Sequence, residues 1–75
     1  MAERLPVLKA KDLARVLRAL GFSSIRQNGA HEFFWHSDGR TTIVPRHAGE
    51  DIGRGLLRQI LREIELTPQQ FAEYL

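Results

Sequence analysis

The sequence predicts an α+β fold in the order α-β-β-β-α, a three-stranded antiparallel meander with its helices packed on one face. Three observations carry this expectation. Apolar residues recur at helical spacing near both ends of the chain, and three short runs rich in β-branched and aromatic residues lie between them. The turn signals Asn28-Gly29 and Ser37-Asp38-Gly39 separate those runs at hairpin distance. Sheet and helices must bury their apolar stripes on each other, so one sheet face stays open. At 75 residues the chain is expected to be one domain, residues 1–75, with a small core and most polar side chains wet.

The elements follow in order. Leu13, Val16, Leu17 and Leu20 fall at i, i+3, i+4 and i+7, so a helix begins near Lys9 to Lys11. Asp12 in its first turn favours the positive helix end, and Gly21 follows its C-terminus. "FSSIRQ" reads as the first strand, "HEFFWH" as the second, and "RTTIV" as the third, stopped at Pro45, which has no N–H for a ladder. The loop "RHAGEDIGRG" holds three of the six glycines. Leu56, Leu57, Ile60, Leu61 and Ile64 then mark a second helix with a broad apolar stripe. Thr67-Pro68-Gln69-Gln70 is a capping box with proline at the first helical position, opening a short last helix that carries Phe71 and Leu75.

Composition narrows the function. There is no cysteine, hence no disulfide and no thiolate ligand. No apolar run approaches the roughly 20 residues of a membrane span, and "MAERLPVLK" has no signal-peptide pattern, so a cytoplasmic protein without a membrane partner is expected. The net charge is only +2, yet nine of the eleven basic residues are arginine, whose planar fork suits phosphate. His31, His36 and His47 match no zinc spacing, so no metal site is expected.

The second strand is unusual. It begins with a histidine and continues Phe33, Phe34, Trp35, so it is apolar on both faces. His31, Phe33 and Trp35 share one face of a regular strand, while Glu32, Phe34 and His36 share the other. One face therefore exposes large rings. Phe33 and Trp35 read either as core or as a surface for a partner or for stacking RNA bases. His36 reads as an ordinary side chain.

The run "GF…RQNGAHEFFWHSDGR…IVPRH…GRGLLRQILREIELTPQQF" resembles the HicA toxins, or YcfA-like family, small bacterial mRNA interferases. Its marks are an arginine shortly before a glycine-small-histidine turn, an aspartate-glycine turn, a Val-Pro-x-His strand end and a glycine-led Leu-Arg-x-Ile-Leu helix. The resemblance covers almost the whole chain. It implies a double-stranded-RNA-binding-like fold, RNA cleavage by the histidine of a Gly-Ser-His motif, and silencing by a HicB antitoxin. By position, the catalytic histidine is His31. The chain differs from the family in Ala30 for serine, Leu56 for threonine, Glu65 for a glycine ending the second helix, and Lys9 for a capping serine.

The chemistry supports this without the family. RNA carries its own nucleophile, the 2′-hydroxyl, so cleavage needs proton transfer and charge stabilisation at phosphorus. Histidine, with an unperturbed pKa of about 6.5, suits the first. Arginine suits the second. The expected RNA-binding residues are Arg26 and Gly29 before His31, Arg46 and His47 after the third strand, and Arg54, Arg58 and Arg62, which recur at i, i+4, i+8. A solvated helix face explains that last stripe equally well. No cofactor is implied. The expected function is a toxin-type endoribonuclease with mRNA and a HicB-like antitoxin as partners. A non-catalytic RNA-binding module and a protein-interaction domain remain as alternatives.

Overall fold

The computed structural model describes residues 5–46 and 51–75. The elements are β1 (Leu8–Lys9), α1 (Ala10–Ala19), β2 (Ser23–Asn28), β3 (His31–Trp35), β4 (Thr41–Pro45), β5 (Asp51–Ile52), α2 (Arg54–Glu63) and α3 (Pro68–Ala72). The predicted α+β arrangement is present: β2, β3 and β4 form an antiparallel sheet in that order, with the helices on one face.

Helical periodicity becomes packing directly. Leu13, Val16 and Leu17 of α1 and Leu57, Ile60 and Leu61 of α2 are buried, and they enclose Phe34 and Val44 from the sheet. Phe71 completes this core from α3, whose Thr67 side chain accepts from the Gln70 N–H in the predicted capping box, while Leu75 is exposed. Lys9 occupies the N-cap of α1, and its side chain makes no capping hydrogen bond.

Three details depart from local expectation. Inside the expected loop, Asp51 and Ile52 pair with Lys9 and Leu8 as a small second ladder, reinforced by Lys9 Nζ at 2.9 Å from Asp51 Oδ1. The first hairpin turns at Gly29-Ala30, one residue later than Asn28-Gly29, because Asn28 still pairs with His31. Gly29 at φ 60° takes the first corner, the place where a two-residue hairpin loop most needs glycine. A bulge at Ile25 then restores alternation, so that Arg26 lies opposite Phe33 and Ser24 opposite Phe34.

Candidate nucleic-acid interface on the open sheet face

Residues paired directly across an antiparallel ladder lie on the same face. Pairing of His31 with Asn28 and Pro45, of Phe33 with Arg26 and Ile43, and of Trp35 with Ser23 and Thr41 therefore defines the outer face. Burial agrees: Glu32 and Phe34 are buried, while His31 and Trp35 are exposed. Among these outward positions there is no acidic residue, and the ionisable groups are Arg26 and His31.

His31 opens β3, its backbone held between β2 and β4. The Arg46 N–H donates to the Ala30 carbonyl, which extends the ladder to the turn beside it. His31 is exposed, and among the described residues its imidazole has no hydrogen-bond partner. One ladder step away, the Arg26 guanidinium lies over the Phe33 ring, 4.8 Å from its centroid. That contact favours an orientation on the outer face while leaving the donor edges free. His31, Arg26, Phe33 and Trp35 are thus brought together, with Gly29 at the adjoining turn.

The other predicted residues are placed elsewhere. Arg46 Nη1 donates to Glu32 Oε1, on the helix side of the sheet. Glu32 was not singled out by the sequence, yet its side chain is only 7% exposed and gathers three donors. Ser24 Oγ donates to Oε2 at 2.5 Å, Arg18 Nη2 lies 3.6 Å from the same oxygen, and Arg46 holds the other. The only sequence signal for this cluster was parity, which sends Glu32 inward. Arg54, Arg58 and Arg62 line the exposed flank of α2, in the helical layer and not on the His31 face. Arg54 Nε donates to the Leu5 carbonyl at 2.6 Å, tying α2 to the N-terminal segment. His47 lies outside the described residues.

His36 caps the second hairpin. Its ring meets Phe22 edge-on at 5.1 Å, and its Nδ1 accepts from the Asp38 N–H. The backbone N–H of Arg40 and then its side chain hold the Asp38 carboxyl below its ordinary pKa. A shallow groove there is lined by Asp38, Arg40, Glu63 and Glu65 together with Thr41, Thr42 and Ile43, three carboxylates against one guanidinium. No group of three or more His, Asp or Glu side chains arranged to hold a metal ion occurs among the described residues. No helix among them is long and apolar enough to cross a membrane.

Residues 10–66 match the family described as "HicA toxin of bacterial toxin-antitoxin". Comparison with curated proteins yields no match.

Proposed function

The chain belongs to the HicA toxin family of bacterial toxin–antitoxin systems, and from that premise we propose that it is an endoribonuclease acting on mRNA through His31. The observation that carries this reading is a solvent-facing histidine beside an arginine on a sheet face without acids. In the proposed reaction His31 accepts the 2′-hydroxyl proton as the 2′-oxygen bonds to phosphorus. The bond from phosphorus to the 5′-oxygen breaks, and the imidazolium returns a proton to that oxygen. The products are a 2′,3′-cyclic phosphate and a 5′-hydroxyl, with protons balanced and no cofactor consumed. Arg26 holds the phosphate and stabilises charge as it builds. No metal is needed, because the nucleophile belongs to the substrate.

A HicB-like antitoxin silences the activity in this reading, and the site of action is the cytoplasm, where mRNA is found. A second reading, an RNA-binding module without catalysis, is favoured by Ala30, which supplies no hydroxyl beside His31. Digestion of RNA by the native protein and by His31→Ala, with and without chelator, tests the proposal. Cleavage by the native protein in chelator and its loss in the variant support it. Equal digestion by the variant refutes the assignment of His31, and binding without cleavage selects the second reading.

A further inference from the structure

The open face carries one feature that proton transfer and phosphate binding do not use. Trp35 is 42% exposed in the centre strand of the sheet, where a large ring would ordinarily be covered. Its cross-strand neighbours explain the exposure. Ser23 on one side and Thr41 on the other are too short to cover an indole. The nearest outward residue along β4, Ile43, is itself 43% exposed and extends the apolar surface towards Phe33. A ring flanked by small hydroxyl residues is open to a flat ligand.

We propose that Trp35 is a base-stacking subsite, and that the open face thereby selects single-stranded over duplex RNA. This rests on the ribonuclease reading only in taking RNA as the occupant. The charge pattern favours RNA: the outward positions hold Arg26 and His31 and no carboxylate, which suits a polyanion whose bases are apolar on their faces. The availability of base faces favours an unpaired strand. A duplex buries its base faces and offers Trp35 nothing to stack on. Arg26 already covers Phe33 at 4.8 Å, which leaves Trp35 as the uncovered ring.

Trp35 is the sole tryptophan of the chain, so fluorescence excited at the red edge of the absorption band, where Tyr74 does not absorb, reports on this subsite alone. The probe is a short 2′-O-methylated RNA, which has no free 2′-hydroxyl and stays intact. Single-stranded probe should quench the emission, and the same probe annealed to its complement should not. Trp35→Ala should weaken single-strand binding, measured by anisotropy, about 5- to 150-fold, the range for losing one stacked base. Trp35→Phe should recover most of it, and circular dichroism checks that both variants fold. Equal quenching by duplex overturns the strand selectivity. Unchanged emission and unchanged affinity of Trp35→Ala, with cleavage by His31 intact, overturn the subsite and leave the ribonuclease reading standing. Emission that responds to an acidic protein partner and not to RNA assigns the face to protein docking and overturns the proposal. Native protein that neither binds nor cleaves any RNA overturns the ribonuclease reading itself, and this subsite with it.

Discussion

Replacing Arg46 with alanine separates two uses of one guanidinium. Its position after the Val-Pro strand end suggests a phosphate ligand, whereas its contact is with Glu32, a carboxylate only 7% exposed. Removing one member of a buried ion pair costs about 3–5 kcal/mol when the remaining charge has no other partner. Here Ser24 Oγ stays at 2.5 Å and Arg18 Nη2 at 3.6 Å, and Arg46 itself is 30% exposed. The loss should therefore fall in the range for a hydrogen bond to a charged group, about 1.5–3 kcal/mol. For 75 residues the whole stability is roughly 4–11 kcal/mol, so this is a large share of it. Urea unfolding should show a lower midpoint at unchanged slope, and thermal melting a drop of about 6–24 °C. Glu32→Gln in the same background should restore about 1 kcal/mol or more, since it removes the stranded charge. The reasoning fails if Arg46→Ala costs under about 0.5 kcal/mol and instead flattens the salt dependence of RNA binding by roughly 0.7–0.9 in slope. That outcome would return Arg46 to the phosphate.

Four further outcomes are expected. His31→Ala should leave stability within about 0.5 kcal/mol in urea, because the side chain is exposed, while cleavage falls roughly 10²–10⁴-fold. Glu65, at φ 59°, ends α2 in the left-handed region without being glycine, so Glu65→Gly should raise stability by about 0.5–1 kcal/mol; a lower melting point would refute the strain. Asp38 has its carboxyl pKa lowered from 3.8 in the fold, so its contribution is fully present above that value and fades as pH falls through the folded pKa. The stability difference between the native protein and Asp38→Asn should accordingly stay constant at neutral pH and shrink only in acid, by melting at several pH values. Arg58→Ala, altered in the helical layer, should weaken RNA binding less than Arg26→Ala at the same salt; the reverse order would move the RNA onto α2.

Much of this architecture was legible because it is written at short range. The 3.6-residue period of Leu13, Val16 and Leu17 marks α1 locally, and Thr67 with Gln70 closes the cap of α3 within four residues. Parity along β3 alone puts His31, Phe33 and Trp35 on one face and Glu32 with Phe34 on the other. The sequence therefore determined which β3 residues share a face, before any partner strand was known.

Which of those faces is covered, and what each cation holds, depends on segments distant in sequence. The β1–β5 ladder joins Leu8 to Ile52 across most of the chain, and two residues on each side carry too little pattern to announce it. The Ile25 bulge and the turn at Gly29-Ala30 are properties of the pairing between β2 and β3, which sets a register that the local preference of Asn28-Gly29 does not announce. Arg26 and Arg46 are the same residue type beside the same hairpin, and no local rule separates them. The sheet does: Arg26 meets Phe33 on the solvent face, and Arg46 meets a buried carboxylate that needs its charge. Residue type and spacing determined the chemistry available to this protein. The tertiary structure decided where each charge stands, because a buried carboxylate draws the arginine within reach and an open face leaves the other exposed to solvent.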